Sequence, residues 1–173
     1  MTMTLVETKT LASAAAWIEF ASIPQDATDL LVVVSARASS GGLADGVAIR
    51  FNVVGTGYTA RRLYGYNSSV ASDDNATGDF IINGPTSTSD TFSNTQFYIP
   101  NYAGSINKSY SNEGVAETNA TNVFIGMTAG QWSNTAAITS LRLSAESTSN
   151  LVIGSMASLY KITKGSSGGV VVS

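Results

Sequence analysis

Apolar residues recur at every second position along most of this chain, the spacing of β-strands that turn one face inward. In WIEFASI, Trp17, Glu19, Ala21 and Ile23 fall on one face and Ile18, Phe20 and Ser22 on the other; Pro24, which has no N–H for a ladder, closes the strand. DLLVVVSAR, Asp29 to Arg37, is apolar on both faces as far as Val34 and reads as a central strand buried on both sides. After the loop ASSGGLADG, Val47, Ile49, Phe51 and Val53 alternate with Ala48, Arg50, Asn52 and Val54, so one face of that run is buried. YTARRLYGY, Tyr58 to Tyr66, continues the pattern across Gly55 and Gly57 as the second arm of a hairpin. The polar segment Asn67 to Asn94 holds one strand-like piece, Asp79 to Ile82, ahead of Pro85, and reads as a surface excursion.

The second half repeats this grammar in QFYIP, KSYSNEGVAE, TNVFIGMTAGQW, AITSLRLSAE and LVIGSMASLYKI. Ile138, Leu141 and Leu143 are spaced for a strand with one slip, and Glu146 to Asn150 supplies the following turn. LASAAAW, Leu11 to Trp17, is rich in alanine but too short to hold a helix alone, and reads as a strand lead-in. In all, about nine to eleven short strands joined by Gly/Ser/Asn turns predict an all-β fold, an antiparallel β-sandwich of jelly-roll type in a single domain. That domain spans residues 1–164. Residues 165–173, GSSGGVVVS, read as a flexible tail whose Val170, Val171 and Val172 could add a strand to a neighbour's sheet edge.

Composition changes the picture from fold to surface. A chain of 173 residues with 43% hydrophobic but 12% charged residues carries its polarity on Ser, Thr, Asn and Gly. Nine basic and twelve acidic residues are scattered singly, so no basic patch offers a footprint for nucleic acid. The same scarcity of charge leaves little repulsion between copies and favours a homo-oligomer. MTMTLVETKT lacks the basic start and apolar run of a secretion signal, and no stretch approaches the roughly 20 apolar residues of a membrane span, so neither membrane nor export is expected.

With no Cys and no His, a disulfide framework, a thiolate or imidazole metal site and every Ser-His-Asp arrangement are excluded. Carboxylates such as Glu113, Glu117 and Glu146 are spread with no spacing that selects a glycosidase pair. DDNATGD, Asp73 to Asp79, partly echoes a calcium loop, but Gly84 stands where the bidentate Glu is needed, so a polar turn is the better reading. No catalytic residue, cofactor or metal site is expected. Arg61 and Arg62 point to opposite faces of one strand, so one faces solvent and the other meets a carboxylate or a subunit boundary. In FYIPNYAGSINKSYSNEG, Phe97 and Ile99 share the core face and Tyr98 the exposed one, while Tyr102 and Tyr110 flank a Gly104-Ser105 turn. Tyr98, Tyr102 and Tyr110 beside Asn and Ser make a protein interface or a platform for sugar rings.

WIEFASIPQDATDLLVVVSAR, FYIPNYAGSINKSYSNEGVAETNAT, TAGQWSNTAAITSLRL and GSMASLYKIT, in this order from about Leu5 to Thr163, resemble a family of small virion surface proteins of tailed bacteriophages. The anchors are Phe20, Ile23-Pro24, Arg37, Ile99-Pro100-Asn101-Tyr102, Trp132-Ser133-Asn134 and Leu159-Tyr160. The resemblance implies a β-sandwich present in many copies on the particle, some members being capsid cement or decoration proteins and others parts of tail fibres. It implies a non-enzymatic role, a homotrimer at capsid threefold positions, and the major capsid protein or other virion proteins as partners, with assembly in the host cytoplasm. The tail-fibre members imply an alternative, a carbohydrate-binding module that touches a host glycan.

Overall fold

The computed structural model describes residues 1–74, 79–118, 123–146 and 149–164. Twelve strands account for its regular structure, and no helix occurs among the described residues. They are β1 (Thr2–Thr10), β2 (Trp17–Phe20), β3 (Asp29–Ala36), β4 (Ala44–Phe51), β5 (Tyr58–Tyr66) and β6 (Ser69–Asp74), followed by β7 (Asp79–Asn83), β8 (Ser93–Pro100), β9 (Lys108–Glu117), β10 (Val123–Trp132), β11 (Leu141–Ala145) and β12 (Met156–Thr163). Every strand pairing is antiparallel. The strands form a large sheet ordered β1-β12-β3-β8-β9-β10-β5-β6 and a small one ordered β2-β11-β4-β7. This is a single-domain antiparallel β-sandwich, as the alternation predicts. Its division into eight and four strands differs from the eight-strand jelly roll.

The core lies between the sheets because alternate residues of each strand face inward. Leu30, Val32 and Val34 of β3 and Phe97 and Ile99 of β8 meet Ile49 and Phe51 of β4 and Leu141 and Leu143 of β11, all buried. Phe51 is the hub of an aromatic cluster, its ring centroid 5.9 Å from Tyr58, 5.7 Å from Tyr110 and 5.7 Å from Trp132. Pairs of this kind contribute about 0.5–1.5 kcal/mol each beyond their buried area. Burial pushes the Tyr58 phenol up to about 12, and its oxygen accepts the Phe51 N–H at 2.7 Å.

Several sequence expectations are corrected. Tyr58 to Tyr66 does not form a hairpin with the preceding run: β4 lies in the small sheet and β5 in the large one. Asn52 and Val53 take left-handed φ values of 51° and 59°, which turn the chain out of its sheet. The Asn52 amide then accepts the N–H groups of Thr139 and Ser140 and donates to the Ala137 carbonyl at 2.9 Å, latching the crossover. Nor is Asn67 to Asn94 only an excursion, since it supplies β6 and β7, and Phe80 and Ile82 are core residues. β3 is central but fully buried on one face only; Leu31 and Val33 on its other face are half-buried. Trp17 is exposed whereas Ile18 and Phe20 point inward, and Ile23 rejoins the core after a left-handed turn at Ser22.

Two buried cations organise loops. The Arg37 guanidinium donates to the carbonyls of Pro85, Ser87, Thr88 and Thr91 and to the hydroxyls of Ser87 and Thr91, gathering residues 85–91 around one side chain. The Lys108 ammonium, fully buried, donates to the carbonyls of Gly104, Ile106 and Thr135, and burial pushes its pKa down.

Candidate assembly surface

Among the described residues, the small sheet covers the inner face of the large one and the outer face of the large sheet meets solvent. Strand registers place its side chains in rows. One row runs Leu5, Tyr160, Leu31, Tyr98, Ser111, Ala129, Arg61, Asp74 from β1 to β6. The next runs Thr8, Ser158, Val33, Gln96, Glu113, Met127, Leu63, Ser72, and a third runs Thr10, Met156, Ser35, Asn94, Val115, Ile125, Gly65, Val70. Leu63 is 48% exposed, Ile125 60%, Met127 55% and Val70 77%, and these four are neighbours. Contiguous exposure of large apolar side chains marks a contact surface, whereas scattered ones do not.

Charge is sparse here. The three rows contain Glu113, whose carboxylate accepts the Gln96 amide, and the ion pair of Arg61 with Asp74. Two shallow depressions flank Met127: one of 520 Å³ bounded by Leu31, Tyr98, Ala129 and Arg61, the other of 580 Å³ bounded by Leu63, Val70, Val115 and Ile125. At the rim, the Tyr98 hydroxyl donates to Asp29 at 2.7 Å, and Asp29 also receives the Asn101 N–H and the Lys164 ammonium at 3.1 Å. Burial works to raise the Asp29 carboxyl, but these three bonds together hold it below the ordinary aspartate value; the bond to Asp29 in turn raises the Tyr98 phenol.

The residues singled out from sequence divide between this face and the core. Tyr98 lies on the face, 36% exposed. Tyr102 and Tyr110 do not join it. A left-handed turn at Asn101 (φ 52°) swings Tyr102 inward, where its hydroxyl donates to the Pro24 carbonyl. Tyr110 sits opposite Gly130 on the inner face of β9, and its ring occupies the space a Cβ at 130 would need. Both rings are buried, so neither can stack on a ligand from solvent. Arg61 is on the outer face with Asp74; Arg62 points to the other side, making paired bonds of 3.2 and 2.8 Å to Asp73. The two leading aspartates of DDNATGD, Asp73 and Asp74, therefore serve as arginine partners. Val170, Val171 and Val172 lie outside the described residues.

Among the described residues, no group of three Asp, Glu, His or Cys side chains is placed to hold a metal ion. No helix among them is long and apolar enough to cross a membrane. Compared with protein-family models, curated proteins and solved structures, the chain matches none.

Leu63, Val115, Ile125 and Met127 were not singled out from sequence. In β10, Gly126 and Gly130 face inward with Thr128 and Trp132; the Tyr110 ring lies over Gly130, and Tyr64 Cβ is 3.5 Å from a Cβ position at Gly126, while Ile125, Met127 and Ala129 face out. The signal was present in the glycines, each directly opposite a tyrosine in the ladder.

Proposed function

We propose that the protein is a non-enzymatic structural protein of a tailed-phage particle, a capsid cement or decoration protein that oligomerises on the shell and stabilises it. The observation that carries this reading is the uncovered, weakly charged outer face of an eight-stranded sheet. Covering such a face removes apolar surface from water, a gain of roughly 25 cal/mol for each Å² buried. A shell-binding protein uses that free energy to hold neighbouring subunits against the outward pressure of packaged DNA. The sequence resemblance to phage surface proteins names the setting. Particles assembled with and without the protein test the reading: loss of the protein should lower the temperature at which heads release DNA, and re-addition should restore it. Identical release temperatures, with the protein absent from purified particles, would refute it.

A second reading, a tail-associated glycan-binding module, is favoured by one feature. The Tyr98 ring shares its depression with Gln96 and Glu113, a stacking surface beside polar groups. A glycan array probed with the protein and its Tyr98→Ala variant separates the two: binding that depends on Tyr98 supports this reading, and a blank array counts against it.

A further inference from the structure

We infer that the outer face of the large sheet is the contact between two copies of this chain, packed sheet on sheet about a twofold axis that passes over Thr128. The inference rests on the assembly reading above and names the partner of its surface. Two arguments select a second copy over an unrelated partner.

The first is charge complementarity of the face with itself. Glu113 is the register partner of Met127 on one side of β10, and Arg61 is the register partner of Ala129 on the other. Met127 and Ala129 flank Thr128 along the strand, so Glu113 and Arg61 are related by a point at Thr128. An in-plane twofold axis through that point brings each Glu113 to the partner's Arg61, which within its own chain is paired with Asp74, giving two carboxylate–guanidinium contacts per dimer. With strands about 4.8 Å apart and rows about 6.8 Å apart, this axis lies at roughly 35° to the strands, so the two sheets cross at roughly 70°, near the orthogonal class of sheet packing. Met127 of each copy, beside the axis, then packs over the partner's Met127 and Leu63.

The second argument is area. The strands β3, β8, β9, β10 and β5 are eight to ten residues long. A crossed overlap about 27 Å on a side gives about 700 Å² per copy, close to the roughly 800 Å² of a stable interface. A net charge of −3 offers little repulsion between copies. The pairing is twofold, unlike the threefold association that the resemblance implies.

Sedimentation velocity on the full-length protein tests the contact. The wild type should sediment as a dimer at micromolar concentration. Glu113→Arg and Arg61→Glu should each raise the dissociation constant about tenfold or more, and the double reversal should return it to within about threefold of wild type, as interfacial charge pairs do. Met127→Glu should give a folded monomer with unchanged circular dichroism. Because the chain has no cysteine, a Glu113→Cys/Arg61→Cys variant adds a covalent check. The two sites are two strands apart, beyond the reach of a disulfide within one chain, so oxidation should yield linked dimers. A monomer at 100-micromolar order, a trimer that survives Met127→Glu, or a double reversal no better than either single change would overturn the contact. Monomeric protein that still stabilises particles would sink the dimer and leave the assembly role standing; a dimer that is absent from particles would do the reverse.

Discussion

Replacing Arg37 by Met should unhook residues 85–91 from the body of the sandwich. The guanidinium reaches four carbonyls and two hydroxyls of that loop at 2.7 to 3.2 Å, and its own backbone is held by Ser155 and Val152. All of those side-chain partners are neutral, so the interaction is a set of charge-assisted hydrogen bonds rather than an ion pair. Methionine fills a similar volume but donates nothing. A buried acceptor left without its donor costs about 1–3 kcal/mol; with part of the loop turning its carbonyls to water, we expect a total near 3–5 kcal/mol. That is a large part of a typical folding stability of about 5–15 kcal/mol, and for a chain of this size it lowers the Tm by roughly 10 °C. Calorimetry measures the shift, and hydrogen exchange locates it: amides of residues 84–92 should lose protection while β9 and β10 keep theirs. Arg37→Lys, with three donors on a point charge instead of a planar fork, should recover less than half the loss. A Met variant within 1 kcal/mol of wild type, with unchanged protection at 84–92, would refute the account of this side chain.

Three other outcomes follow from the packing and the ionised groups. Phe51→Ala removes the hub of the aromatic cluster and should cost about 3–5 kcal/mol in urea denaturation, more than the loss at any single rim residue of the cluster. Gly130→Ala places a methyl group against the Tyr110 ring and should cost about 1–3 kcal/mol, and combining it with Tyr110→Ala should add less than the sum of the two changes. Asp29, whose carboxyl is held below its ordinary value, contributes stability that is present above about pH 4 and is lost as pH falls through the lower folded value. Tyr98→Phe removes one of the holding bonds and should flatten that acid limb of a stability–pH profile; an unchanged limb would show that Tyr98 does not hold the carboxylate.

Much of the fold was legible in the chain because strands with one buried face write their geometry as alternation. The five segments named in the second half all contain strands, and the Phe97/Ile99 face is the core face of β8. What alternation cannot express is which sheet a strand joins. Gly55 and Gly57 look like a hairpin turn, yet the left-handed pair Asn52-Val53 and the Asn52 side chain carry the chain to the opposite sheet. Tyr102 shows the same limit for a loop residue, since nothing in its neighbours' types signals that Asn101 turns it inward. On the candidate surface the exposure of Tyr98 was legible, alternation left open which of Arg61 and Arg62 faces out, and the apolar rows of β10 and β5 were not singled out. Two inward positions of β10, Gly126 and Gly130, are glycines opposite tyrosines of β5 and β9, while Ile125 and Met127 take the outer face.

The central claim is that this protein sits on the outside of a phage particle as part of its head. Labelling intact particles with gold-tagged antibody against the protein, and imaging them by electron microscopy, tests it most directly. The account predicts gold distributed regularly over the heads. Heads free of gold, under conditions in which the antibody binds the free protein, would contradict it.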